Sequence, residues 1–174
     1  MLEIMILSFG GQGGVTAARL LATASLYEGK YAQAIPQFGA ERRGALVRSY
    51  LRISERPIRR HSSVRNPEMV AVFSEKITKM TSVDAKTIVI NSKKPKLEGR
   101  VYYVDASSIA LDLGLVSAGW PIVNTAMAGA MAKVLGFSFD SLKRAIEETF
   151  GGKLGELNVE AAKRAYEEVR EWSA

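Results

Sequence analysis

The chain opens on consecutive apolar residues, Ile4, Met5, Ile6 and Leu7. Such a run predicts a strand over 3–9 buried on both faces, as a central parallel strand is. The run stops at Gly10, Gly11, Gln12, Gly13 and Gly14. The period then changes. Ala18, Leu21, Ala22, Ser25 and Leu26 recur at helical spacing, which predicts a helix over 15–27 with Gly29 as its stop. A second strand is predicted over 31–35, ended by Pro36. Residues 46–53 alternate. Val47, Ser49, Leu51 and Ile53 fall on one face, and Leu46, Arg48, Tyr50 and Arg52 on the other. That pattern predicts a half-exposed strand with an arginine-bearing outer face, paired antiparallel with 31–35 or placed at a sheet edge. Residues 55–66 read as irregular, with Pro57 and Pro67 as breakers.

Three short runs rich in β-branched or aromatic residues follow at 69–73, 87–90 and 100–104, and each predicts a strand. Residues 93–99 form a basic turn, and Asp105 is placed to cap a short helix to Leu113. The last third predicts helices. Asn124 is the expected cap of 125–135, whose face of Ala126, Gly129 and Ala130 is small enough to demand close packing. Ser138 or Asp140 caps a helix to Phe150, Gly151 and Gly152 break the chain, and a final amphipathic helix runs from Asn158 to about Trp172. A β-α-β opening with later strands and helices predicts one α/β domain over 1–174. It is a single three-layer α/β/α unit whose sheet is mostly parallel and mixed.

Composition narrows the chemistry. The 174 residues are 47% hydrophobic and 24% charged, the balance of a globular domain. No apolar run approaches the ~20 residues of a membrane helix. The N-terminal run has no basic segment before it and no cleavage-site pattern after it, so the expectation is a cytoplasmic protein without a membrane partner. There is no cysteine and one histidine, His61. Thiolate nucleophiles, disulfides and thiolate-held iron–sulfur clusters are therefore excluded for this chain, as are the usual zinc sites. His61 sits beside Arg59 and Arg60 with no carboxylate nearby in sequence, and reads as an exposed or contact residue rather than a catalytic one. No catalytic residue is assigned.

Charge is concentrated. Residues 41–65 hold eight arginines (42, 43, 48, 52, 56, 59, 60 and 65), no lysine, and only Glu41 and Glu55, which accounts for the whole net charge of +6. Arginine is the side chain for bidentate contacts to carboxylate or phosphate, so the segment reads as a surface for an acidic partner or a phosphorylated ligand. Within it, Arg42 and Arg43 follow Glu41 in a glycine-flanked loop and are candidates for contacts to a neighbouring subunit or to ligand phosphates.

A strand, a glycine-rich turn and a helix N-terminus make an anion site in many folds. Gly11, Gln12, Gly13 and Gly14 are accordingly candidate cofactor-binding residues, with a tight structural turn or a subunit contact as the other reading. The dinucleotide fingerprint is incomplete: Thr16 stands where its third glycine or alanine belongs, and no acid follows ~20 residues on. The Gly-Lys-Ser/Thr of a P-loop is missing. A stand-alone nucleotide-binding enzyme and a basic nucleic-acid-binding module remain as alternatives on these residues.

The ordered string 9–18 (FGGQGGVTAA), 29–34 (GKYAQA), 36–45 (PQFGAERRGA) and 52–59, with Arg52-Ile53-Ser54 and Pro57-Ile58-Arg59, closely resembles the gamma subunit of 2-oxoacid:ferredoxin oxidoreductases, nearest to the pyruvate enzymes. The resemblance spans nearly the whole chain. It implies a complex with alpha, beta and delta subunits, in which thiamine diphosphate with magnesium decarboxylates a 2-oxoacid. Iron–sulfur clusters then pass electrons to ferredoxin, and coenzyme A takes the acyl group. It further implies that the cofactors belong to the other chains, that the isolated chain is inactive, that nucleic acid is not a partner, and that coenzyme A is a candidate ligand. The chain departs from the family pattern at Gly14, where a hydrophobic residue is common, and at Ser74-Glu75, where an aspartate is.

Overall fold

The computed structural model describes residues 1–37 and 44–173. Strand β1 (Leu2–Phe9) leads through the glycine turn to α1 (Gly14–Tyr27), then β2 (Tyr31–Pro36), β3 (Leu46–Ser54) and β4 (Met69–Val72). A 3₁₀ turn (Glu75–Lys79) precedes β5 (Thr87–Asn91) and β6 (Val101–Val104). After α2 (Ala106–Asp112) come a small hairpin, β7 (Val116–Ser117) and β8 (Trp120–Pro121), then α3 (Asn124–Val134), α4 (Phe139–Thr149), α5 (Gly152–Glu168) and β9 (Arg170–Glu171).

Seven strands form one sheet in the order β2-β3-β1-β4-β5-β6-β9. Strands β1, β4, β5 and β6 run parallel. β3 lies antiparallel between β1 and β2, and β9 antiparallel on β6. This is the α/β fold with a mixed sheet and a parallel centre that the strand pattern predicts. Of the two placements predicted for 46–53, pairing with β2 is realised, and β2 rather than β3 is the edge.

The layers are unequal. Ile4, Ile6, Leu51, Ala71 and Val89 face a helical layer that includes Leu21, Ile109, Met127, Ile146 and Ala162, so all five α-helices of the described residues share one face. On the other face Leu7, Val70, Val72, Ile88 and Ile90 are covered by Ile77 of the 3₁₀ turn and by Val83, Ala85, Leu97 and Trp172. The connection 92–100 is shorter than the dozen or so residues a helical crossover takes, so extended chain fills that layer.

Within the helical layer α3 and α5 touch at backbone distance. A Cβ built on Gly129 would lie 2.1 Å from the carbonyl oxygen of Ala162. Ala126 and Ala130 are fully buried beside it, so the small-residue face does pack on a helix. The crossing also takes in polar atoms: Thr125 Oγ1 donates to Asn158 Oδ1 (2.8 Å), and Asn158 Nδ2 donates to the carbonyl of Leu154 (2.9 Å).

Three readings of the helical third are corrected. Asn124 does not cap α3 but is its first residue, after Val123. The final helix begins at Gly152 instead of Asn158, because Gly155 lets it start against the carbonyl of Phe150, and Asn158 becomes a satisfied interior residue. It ends at Glu168, and the chain turns back as β9, where Trp172 donates its N–H to Val101 (2.7 Å). The hairpin β7–β8 was also not predicted. Its two turn residues, Ala118 (φ 48°) and Gly119 (φ 80°), both adopt the left-handed conformation that a tight two-residue hairpin uses.

The outer face of β3 also differs from expectation. Arg52 is completely buried. Register explains it: Arg52 stands directly between Glu3 of β1 and Gln33 of β2. Its Nε donates to Glu3 Oε1 (2.9 Å), its Nη1 to Gln33 Oε1 (3.1 Å), and its Nη2 to the carbonyl of Ser62. The irregular segment 55–67 folds back over this end of the strand and closes it off. The arginine segment is thereby divided. Leu46 pairs with Phe9 at one end of the sheet and Ile53 with Leu2 at the other, about 23 Å apart at ~3.3 Å per residue.

Two substitutions test this packing. Gly129→Ala should destabilise the chain by ~1–3 kcal/mol or more, because the obstacle is a backbone carbonyl that cannot rotate away. Chemical denaturation of parent and variant measures it, and equal midpoints would mean the two helices are not in contact. Arg52→Met should cost ~3 kcal/mol, since it removes one partner from a buried charged pair, and the same titration reads the loss.

Candidate site at the carboxyl ends of the parallel strands

In open α/β sheets ligands lie outside the carboxyl ends of the strands, where connections diverge to either face. In this chain that end gathers the glycine turn after β1, the 3₁₀ turn after β4, the basic turn after β5 and the start of α2 after β6. The β2–β3 connection returns to the same end at Gly44.

The glycine turn is explained largely from within. Gly11 (φ 91°) and Gly13 (φ 82°) are left-handed, a conformation that glycine adopts without strain. A Cβ on Gly13 would come within 2.7 Å of Asn124 Cβ, and one on Gly14 within 2.4 Å of Ser8 Oγ. The turn therefore presses on the first residue of α3 and on its own strand. Gln12 locks it: Gln12 Oε1 accepts from the N–H of Phe9 (2.7 Å), and Nε2 donates to the carbonyl of Phe73 (3.4 Å). The same Phe73 carbonyl accepts from Asn91 Nδ2 (2.9 Å), and Asn91 also holds Ser107 at the head of α2. One network of two side-chain amides, half-buried Gln12 and buried Asn91, thus ties the ends of β1, β4, β5 and β6 to one another.

Outside that network lies a cavity of about 410 Å³ lined by Phe9, Gly10, Gly11, Gly44, Ser74, Lys76, Ser117 and Trp120. A second hollow of about 480 Å³ continues past Ser74, Lys76 and Trp120 to Asn91, Lys93, Lys94, Asp105 and Ser107. Trp120 is 61% exposed on the β7–β8 hairpin. The ammonium of Lys76 stands 5.6 Å from its ring centroid, within cation–π range. The acids nearby are partly engaged. Glu75 accepts from the Ser92 hydroxyl, and Asp105 caps α2 through Ser108 N–H (3.1 Å) while lying 3.8 Å from Lys93. Lys76 and Lys94 make no ion pair with a described residue, and they border a groove walled by an aromatic face.

Of the candidate residues, Gly11 lines the cavity, while Gln12, Gly13 and Gly14 build the turn behind it. Arg42 and Arg43 lie outside the described residues; Gly44, which follows them, is on the cavity wall. His61 is exposed at the opposite end of the sheet, as read from sequence. Sequence reasoning missed Lys76 and Trp120. The signal for Trp120 was the Ala118-Gly119 turn before it. Lys76 had no signal, because its relation to Trp120 exists only across the fold. Among the described residues no three metal-ligating side chains converge, and the chain has no cysteine. With no thiolate, this donor set does not fit an iron–sulfur cluster.

A mixed α/β sheet with its hollow at the strand ends defines the class, and comparison with known proteins gives the family. Residues 3–168 match the pyruvate ferredoxin/flavodoxin oxidoreductase family, and the chain belongs to it. It is 47% identical to the pyruvate synthase subunit PorC of Methanothermobacter thermautotrophicus, over 97% of this chain and 96% of that one. It is 41% identical to the common gamma subunit of the pyruvate/ketoisovalerate oxidoreductases of Thermococcus kodakarensis, over 95% and 96%. The crystal structure of the pyruvate oxidoreductase subunit PORC of Thermotoga maritima superposes with a TM-score of 0.81 at 31% identity, covering 99% and 98% of the two chains.

Gly13→Val tests the turn. Left-handed backbone and the Asn124 contact together should cost at least ~2 kcal/mol. Thermal unfolding of the variant should show a clearly lowered midpoint, and an unchanged one would mean the turn does not press on α3.

Proposed function

We propose that this chain is the gamma subunit of a 2-oxoacid:ferredoxin oxidoreductase complex, with pyruvate as the 2-oxoacid. It acts as an accessory α/β subunit beside the alpha, beta and delta chains. Those chains carry the thiamine diphosphate and the iron–sulfur clusters, decarboxylate the 2-oxoacid and pass its electrons to ferredoxin. The observation that carries this reading is end-to-end similarity to subunits named PorC and gamma in a chain with no thiolate to bind a cluster.

The part assigned to this chain is to form one wall for coenzyme A. That co-substrate carries an adenine ring and several phosphates. Trp120 offers an aromatic face, Lys76, Lys93 and Lys94 offer ammonium groups along one groove, and Gly11 leaves the wall open beside them. Arg42 and Arg43, which lie outside the described residues, are assigned from the sequence to phosphate or subunit contacts. Ammonium-to-phosphate hydrogen bonds are among the stronger polar contacts, being charge-assisted. In the complex these side chains bind and orient the nucleotide end of coenzyme A, and the thiol end reaches the acyl group held elsewhere.

Reconstitution tests both parts. The isolated chain should show no pyruvate- and coenzyme A-dependent dye reduction, and adding it to the other subunits should restore that activity. Lys76→Ala combined with Lys94→Ala should raise KM for coenzyme A about tenfold, equivalent to ~1.4 kcal/mol, with KM for pyruvate unchanged. Activity of the chain alone would refute the subunit reading; an unchanged KM for coenzyme A would refute the role given to the groove.

A further inference from the structure

The segment 55–65 lies at the end of the sheet opposite the groove, and the fold treats it unlike an ordinary surface loop. It contains no helix or strand, yet its backbone is pinned at several points. Arg52, from beneath, donates to the carbonyl of Ser62. Gln33 Nε2 donates to the carbonyl of Arg60 (3.3 Å). The N–H of Arg56 donates to Ser54 Oγ (3.1 Å). Arg60 pairs with Glu3 (3.3 Å), and Val64 is buried. Burying a guanidinium to hold a loop costs desolvation that a hydrophobic anchor avoids. The result is a stiff strap.

The strap presents cations that no described residue neutralises. Arg56, Arg59 and Arg65 are exposed and form no ion pair with any described residue. Glu3 is engaged by Arg52 and Arg60, Glu55 by Lys30 (2.5 Å), and Glu68 accepts from the N–H of Glu3 (3.2 Å). Unpaired like charges on one pinned segment repel, and an outside carboxylate relieves them.

The chemistry selects among acidic partners. All the exposed cations here are arginines, the side chain whose planar fork matches a carboxylate bidentately. Residues 55–65 contain no aromatic side chain on which a base could stack. There is also no helix or ribbon to enter a duplex groove. A preorganised backbone lowers the ordering cost of a protein contact.

We infer that the strap 55–65 is a docking surface for a carboxylate-rich face of another protein chain, with Arg56, Arg59 and Arg65 making the contacts and Arg52 acting as a positioning residue. The inference rests on the subunit reading above and adds where and how the subunit is held.

The test uses the full-length chain carrying Arg56→Glu, Arg59→Glu and Arg65→Glu together, mixed with the remaining subunits of its oxidoreductase. All three positions are exposed, so the isolated variant should keep the parent's melting temperature. Assembly, followed by size-exclusion chromatography and titration, should weaken at least tenfold, and the parent's own affinity should fall as salt rises. Arg52→Met, which frees the strap without removing any exposed charge, should weaken assembly as well. A parent that assembles while the triple variant assembles within twofold of it overturns the inference alone. A parent that does not assemble overturns the subunit reading and the inference together. In a parallel titration with a short DNA duplex, tight salt-sensitive binding by the parent that the triple variant loses, with assembly unaffected, overturns the protein partner in favour of nucleic acid.

Discussion

Helix α3 is gripped where no side chain can intervene. Its first residue, Asn124, lies against the backbone of Gly13, and its middle residue, Gly129, against the carbonyl of Ala162. Each contact fixes one neighbour: the first sets the turn that launches α1, and the second sets α5. Since α3, with buried Met127 and Met131, belongs to the core shared with the strands, these approaches determine how the helical layer seats on the sheet. Glycine is required at both because a backbone atom or a buried amide already occupies the space of a Cβ.

The two ends of the sheet do different work because the strands between them are mixed. The parallel strands bring their carboxyl ends to one edge, where the Gln12 and Asn91 amides tie them together and leave a groove outside. Antiparallel β3 starts at that edge and finishes at the other. Its neighbours in sequence are therefore shared between the hollow at one end and the exposed arginines of 55–65 at the other. Under the proposed function such a chain contributes walls and contacts beside subunits that carry the reactive groups.

Much of this was legible in the residues. The apolar run of β1, the helical spacing of α1, the cap at Asp105 and the small face of α3 are local signals, each within a few residues of the structure it specifies. The string running from the glycine turn to Pro57-Ile58-Arg59 carried the family. Boundaries in the last third were less legible. The pair Gly151-Gly152 breaks a helix in isolation, but here it starts one, because Gly155 allows the new helix to begin against the Phe150 carbonyl. β9 has only two residues, and its pairing is defined by β6 alone.

By itself the sequence determined the order of elements, the absence of thiolate chemistry, the concentration of arginine in 41–65 and the family. Those properties are composition or short-range pattern, and they hold whatever the rest of the chain does. Only the tertiary structure decided which of the arginines from Arg48 to Arg65 are buried and which are exposed. Arg52 looks outward by alternation but is buried, because Glu3, Gln33 and Ser62 arrive from three other segments to satisfy its guanidinium. Arg56, Arg59 and Arg65 stay in solvent on a segment that the same buried group pins at Ser62 and Gln33 pins at Arg60. Lys76 and Trp120 meet because a 3₁₀ turn and a distant hairpin share one edge of the sheet. Burial and pairing depend on residues far apart along the chain, and no local pattern encodes which of them will meet.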